Sequence, residues 1–375
     1  MPLAWKEDWE PARRRLLAWW EREAMDRPVI QIYASKTAAD LKALAEMPKW
    51  WPGPGPERDL DTGKPLRIEE RWLKADHLVR SRFSRFEQIY WAGEAFPYFF
   101  VNQGPVSIPA YLGCPWTYDE VTGWGKPMIE DYDTFHYPEF DPENPYWKAT
   151  VAVTRAAAKA FAGKALVSVS DLGSGGDELV TLRGNSNLIY DLADRPEVVK
   201  EKLAWVQGFL KRYYDLLYEI LYPAQGATVT WLASYYEGRS VTLQCDFSCM
   251  ISPVMFQEFF LPVIQYQAAQ FDRVCYHLDG PGAVRHLDAL LAVPEIHAIQ
   301  WVPGAGAPPM TEWLPLLKRI QAGKKALHIA CLPHELERLV RELEPRGLCI
   351  MTFALGREMA DQMLANAKNW AAKKY

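Results

Sequence analysis

Arg273–Leu291 reads RVCYHLDGPGAVRHLDALL, an apolar run that ends in His-x-Asp, turns at Gly280, Pro281 and Gly282, and continues at helical spacing. This pattern predicts strand, turn and helix. Successive side chains on a strand alternate between faces, so His277 and Asp279 share a side with their Cα atoms roughly 6.6 Å apart. They stand where the strand exits, the place at which α/β proteins gather their chemistry. An imidazole and a carboxylate there either serve a site together or simply bond each other and cap the following helix.

The same unit repeats outward from this stretch. Strands are predicted near Val29–Tyr33, Ala165–Asp171, Ala227–Leu232, Ser240–Asp246, Ile296–Val302, Ala326–Cys331 and Leu348–Phe353, with a further strand and turn-rich exit within Pro97–Gly113. Helical periodicity lies between them near Pro145–Phe161, Pro196–Leu221, Pro253–Phe271, Met310–Gln321, Pro333–Leu343 and Arg357–Ala372. A count of about eight β/α units fits a closed (β/α)8 TIM barrel better than an open parallel sheet. No short repeat suggests a solenoid. Upstream, helices are expected over Trp9–Met25, Thr37–Glu46 and Arg67–Trp91, and the Pro/Gly-rich WWPGPGPERDLDTGKP from Trp50 reads as a loop or lid. The expected organisation is a mainly helical extension, residues 1–95, packed on a barrel of residues 96–375 as one structural unit.

Composition narrows the function. The 375 residues are 49% hydrophobic and 24% charged, ordinary for a folded chain. A net charge of -5 offers no general attraction to nucleic acid or anionic lipid. The first residues lack the apolar core of a secretion signal, and no run is long enough to span a bilayer. The six cysteines form no dense framework, which fits free thiols in a reducing, cytoplasmic setting. The 16 Trp and 18 Tyr make an aromatic-lined cavity for a small molecule plausible.

Polar residues at the other strand exits complete the candidate list. Asp171 precedes LGSGGDELVTLRGN, which matches neither nucleotide-binding glycine pattern, and Asp177 within it suits a helix cap. Asp246 ends the strand before Ser252 and Pro253 open a helix. Cys245 and Cys249 stand roughly 13 Å apart on an extended strand, too far to share an ion unless the chain turns at Phe247. Trp231, Tyr235 and Tyr236, with Gln300 and Trp301 in HAIQWVPGAG, are candidate substrate-binding residues. Cys331 lies in ALHIACLPHE between His328 and His334, and is a candidate metal ligand with His277 and Asp279.

These motifs carry a family resemblance. DRPVIQI after the first helix, LADRPEVVKEKLAWV, LQCDFSCMISPVMFQEFFLPVIQ over Leu243–Gln265 and the His-x-Asp exit resemble the uroporphyrinogen decarboxylase superfamily, particularly its cobalamin-dependent (corrinoid) methyltransferase branch. The resemblance runs from Pro28 to the end and implies a (β/α)8 barrel. Members that decarboxylate uroporphyrinogen carry an arginine-rich stretch after the first strand; here it reads VIQIYASKTAAD. The methyltransferase branch holds zinc with His-x-Cys and a later Cys. His277 matches the first ligand, Asp279 stands at the second, and TFALGREM after the last strand has no Cys.

The resemblance thus implies methyl transfer in a corrinoid-dependent system, from a small methylated substrate or a methylcorrinoid partner protein. The altered ligands imply either zinc, or a harder metal, on Asp246, His277 and Asp279, or a metal-free site in which Asp279 orients His277 as a base. The alternatives are a lyase or decarboxylase acting on a small aromatic or carboxylated substrate, and a non-catalytic protein binding a tetrapyrrole or other small ligand.

Overall fold

A computed structural model describes residues 2–36 and 54–372. The helix expected at Thr37–Glu46 and the start of the Trp50 loop lie outside the described residues. Thirteen strands are described: β1 Val29–Ser35, β2 Ile89–Gly93, β3 Tyr98–Phe99, β4 Trp116–Tyr118, β5 Gly123–Gly125, β6 Leu166–Val167, β7 Thr228–Val229, β8 Tyr235–Tyr236, β9 Ser240–Gln244, β10 Arg273–Asp279, β11 Ala298–Val302, β12 Ala326–Ala330 and β13 Leu348–Ala354. The central sheet runs β2-β1-β13-β12-β11-β10-β9, parallel throughout except for β2. Beside it, β3 and β6 form a short parallel pair. Continuous backbone pairing does not close the expected ring of eight, because antiparallel β2 occupies the free edge of β1.

Two features depart from the sequence reading. Residues 1–95 are not a helical extension alone, since β1 sits inside the sheet between β2 and β13. The expected Arg67–Trp91 helix is broken at Lys74, whose ψ of 105° is extended, into Ile68–Leu73 and Ala75–Glu87. Its last residues instead become β2. Ile89, Trp91 and Ala92 pack into the core while their backbone pairs with β1, so an aromatic spacing of three to four residues continued past the true end of the helix.

The alternation of side chains divides the interior in two. Outward residues such as Ile30, Tyr276, Leu278, Ile299, Leu327 and Ile350 pack under the helices in one large cluster. Inward residues Val29, Cys275, Ala298, Ala326 and Cys349 form a second cluster with Trp9, Leu16, Trp19 and Trp20 of the helix Trp9–Trp20. These strand residues are small, so they leave space that the tryptophans fill. Trp19 Nε1 donates to the Leu327 carbonyl at 3.3 Å, and Trp20 Nε1 donates to that of Tyr235 at 2.9 Å. The helix therefore plugs the end of the sheet where the parallel strands begin. Buried Glu94 fastens it, accepting hydrogen bonds from both terminal guanidinium nitrogens of Arg27 at 2.7 Å and from the Ile30 N–H at 2.8 Å, and forming an ion pair with Arg15 at 2.9 Å.

Candidate active site

One layer above the small residues, the inward face turns polar. Gln244 on β9, His277 on β10, Gln300 on β11 and His328 on β12 are successive register partners, forming a polar row directly over the apolar plug. Sequence reading picked out His277 and Gln300 but not Gln244 or the inward His328; strand register is the signal that links them. A further layer up, Asp279 shares the inward face with His277. Beside it, the chain leaves β9 through a short 3-10 turn, Asp246–Met250.

Asp246, His277 and Asp279 converge there. Each offers a ligand atom, and the three atoms lie within 4.8 Å of one another. Asp279 precedes the turn Gly280–Ala283 without capping it. His277 Nδ1 bonds Gln300 Oε1 instead of Asp279. The purely structural roles open to this pair are therefore not the ones they adopt. An amide oxygen only accepts, so the proton is on Nδ1 and the lone pair of His277 is on Nε2. Trp231 stands edge-on to the imidazole at 5.2 Å, forming a wall of the site.

The turn carrying Asp246 is held by another carboxylate. Asp177 is buried and accepts the N–H groups of Asp246 at 2.8 Å and Phe247 at 3.2 Å, so it braces two loops. Burial pushes its pKa well up, and the nearby Asp246 adds to that. Asp246 reaches solvent at the mouth, but the protein atoms crowded around it raise its pKa; His277 opposes this shift and Asp279 reinforces it. Burial brings Asp171 to about 7, against the pull of the Gly173 N–H on its carboxylate, and brings Glu178 to about 7. His328, with neither ring nitrogen bonded, is pushed down to about 4 by burial and by the proximity of His277.

Several expected site residues lie elsewhere. Trp301 is fully buried on the outward face of β11, 5.0 Å from Trp313, because adjacent Gln300 takes the inward direction. Tyr235 and Tyr236 lie at the plugged end, packed on Trp9 at 5.1 Å and Trp20 at 6.3 Å. The β7–β8 hairpin carries them back down after Trp231, a reversal outside the β/α pattern. Cys331 is buried in the outer cluster, with its thiol raised to about 12 by burial, and does not join Asp246, His277 and Asp279. Asp171 is enclosed beside a cavity of about 20 Å³, room for about one water, rather than at the open mouth. The chain does turn at Phe247, yet Cys245 is buried while Cys249 is exposed.

The site is therefore an oxygen-rich cluster with one imidazole at the strand exits of an α/β fold. No family model matches the chain, and no curated protein matches its sequence. Among solved structures, a methyltransferase from Methanosarcina mazei is similar over 96% of this chain and 98% of its own, with a TM-score of 0.58 at 12% identity. At that identity the likeness shows a shared fold across nearly the whole of both chains. Among the described residues, no helix is long and apolar enough to cross a membrane.

Proposed function

We propose that this chain is a methyl-transferring enzyme built on a (β/α)8 barrel, with a divalent metal held by Asp246, His277 and Asp279. The barrel reading is supported by the plugged inward cluster and by a seam in which Val169 donates to the Val229 carbonyl at 3.0 Å and Thr228 bonds Ser240 through hydroxyls at 2.8 Å. The observation that carries the functional reading is the convergence of these three groups at the strand exits. Two carboxylates and an imidazole suit zinc or a harder divalent ion, and lack the thiolates that favour zinc alone. Such an ion, when bound, lowers the pKa of a coordinated acceptor.

The residues around it have separate tasks. Gln300 holds the His277 ring with Nε2 toward the carboxylates. Asp177 fixes the backbone of Asp246. Trp231 offers a flat apolar wall to the substrate. In the transfer, the acceptor's lone pair forms the new bond to the methyl carbon, the donor keeps the electron pair of the broken bond, and a carboxylate of the cluster takes the acceptor's proton. The resemblance to corrinoid methyltransferases, together with the methyltransferase fold neighbour, favours a corrinoid or a small methylated compound as donor. A second reading, acid/base cleavage or decarboxylation, would use His277, held by Gln300 and flanked by Asp246 and Asp279, as the base.

Metal analysis of the purified protein, paired with demethylation of methylcobalamin in the presence of thiol and other nucleophilic acceptors, tests this. The expected result is about one divalent ion per chain, lost in His277→Ala and Asp279→Ala together with methyl transfer. Negligible metal in the wild type under replete conditions would sink the metal reading. Corrinoid-independent release of carbon dioxide, abolished in His277→Ala, would replace methyl transfer with the second reading.

A further inference from the structure

The plugged end of the sheet, opposite the metal-ligating cluster, carries a second concave surface. A groove of about 550 Å³ lies between the end of the plug helix and the starts of three strands. Its walls include Trp20 at the end of that helix, Glu21 and Arg22 after it, His297 before β11, Lys324 and Lys325 before β12, and Arg346 before β13. That volume is within the range of small-molecule sites, about 300–1,000 Å³. Four basic side chains, Arg22, Lys324, Lys325 and Arg346, meet in it, on a chain whose net charge is -5.

Backbone strain marks the same place. Among the described residues, four non-glycine positions have positive φ: Arg22 at 50°, Val106 at 52°, Ala233 at 56° and Lys324 at 59°. Such conformations persist where the surroundings impose them, often at ligand sites. Val106 bonds the enclosed Asp171 through its backbone N–H, and the Ala233 carbonyl accepts from Gln31 at 3.2 Å within the plug. Arg22 and Lys324 both line the groove. Gly347, at φ 66°, makes room for the arginine, since a Cβ there would lie 2.6 Å from Arg22 Cγ.

The cations are positioned but incompletely partnered. Arg22 Nε is buried with no hydrogen-bond partner. Burial, and then the neighbouring Arg346 charge, lower the Arg22 pKa. Lys325 is anchored through Nζ to the Val293 carbonyl at 2.7 Å. Of the nearby carboxylates, Glu21 pairs with Arg273, and Glu344 lies 3.3 Å from Arg346. Two like-charged guanidiniums held close, one with a bare buried donor, suit an anion with several acceptor oxygens.

We propose that this groove binds a small phosphorylated molecule, with its phosphate or diphosphate between Arg22 and Arg346 and beside Lys324. The site is separate from the proposed metal cluster, and its ligand acts as an effector or as a handle that orients the protein. Calorimetric titration of the full chain with inorganic pyrophosphate at low salt tests the assignment.

Saturable binding is expected, weakened at least about tenfold in Arg346→Gln and in Arg22→Gln, with metal content unchanged. Arg22→Gly separates ligand binding from folding. Glycine tolerates φ 50°, so this variant should be at least as stable as the wild type while losing pyrophosphate. No binding at about 10 mM pyrophosphate, equal binding in all variants, or binding of a glutamate-rich peptide in place of pyrophosphate would each overturn it.

Discussion

His277 owes its orientation to Gln300, whose amide oxygen accepts the Nδ1–H hydrogen bond and leaves the Nε2 lone pair free for a ligand beside Asp246 and Asp279. Replacing Gln300 by Leu keeps the volume of the polar row but frees the ring to turn. Loss of such an outer partner lowers metal affinity roughly 10–100-fold. A cobalt titration followed by visible absorption should show that weakening with an unchanged urea midpoint. The next residue gives the opposite outcome. Trp301 fills the outer shell against Trp313, so Trp301→Ala should cost about 3–5 kcal/mol of stability while metal stoichiometry in the folded protein stays the same. Full stability with lost metal in Trp301→Ala would contradict the assignment of faces along β11.

At the scale of elements, the glycine-rich loop after β6 joins the site to β9. Ser174 Oγ accepts the Gln244 N–H at 2.6 Å and the Gly175 N–H donates to Gln267 at 2.8 Å, after which Asp177 reaches the Asp246 turn. Gly175 has φ 63°, and a Cβ there would lie 2.0 Å from the Gln244 carbonyl oxygen. Gly175→Ala should therefore destabilise the protein by about 2–4 kcal/mol and also weaken metal binding, because the loop must lift away from β9. Chemical denaturation and metal titration read the two effects. Exposed Gly208, inside the Pro196–Gln225 helix with open space where its Cβ would sit, is the contrast: Gly208→Ala should add about 0.5–1 kcal/mol and leave the site alone. This loop also shows why part of the site was illegible. Its glycines read as a phosphate motif manqué, whereas their work is close backbone approach, which depends on a strand some 70 residues away.

Across the whole molecule, what the sequence made legible was the repeated β/α unit and the alternation within β10. These fixed His277, Asp279 and Asp246 as strand-exit residues. What it hid was set by partners distant in the chain: the register that puts Gln244 and His328 in one row, the hairpin that returns Tyr235 and Tyr236 to the plug, and the edge position that makes a strand of Ile89–Gly93. Parity alone excluded Gln300 and Trp301 from one face, since neighbours on a strand point apart.

The enclosed acids behind this site give the fold a pH signature that no single segment encodes. Asp171 and Glu178 titrate near 7 in the native state, because burial disfavours their charge, against ordinary values near 4. Between those values the native state binds more protons than the unfolded chain, so their contribution is fully present below pH ~4 and is lost as pH rises to about 7. His328 works in the opposite sense and lower down: unprotonated until about pH 4 when folded, it withdraws stability as pH falls below ~6.5. Comparison with a variant isolates the acids. Asp171→Asn with Glu178→Gln keeps shape and the acceptor for the Gly173 N–H but removes both titrations. From pH 5 to pH 8 the variant should gain on the wild type by an amount of the order of 2 kcal/mol per group, read from urea midpoints. A difference constant across that range would mean that both carboxyls are already ionised in the native protein at pH 5, and would remove the pH signature assigned to Asp171 and Glu178.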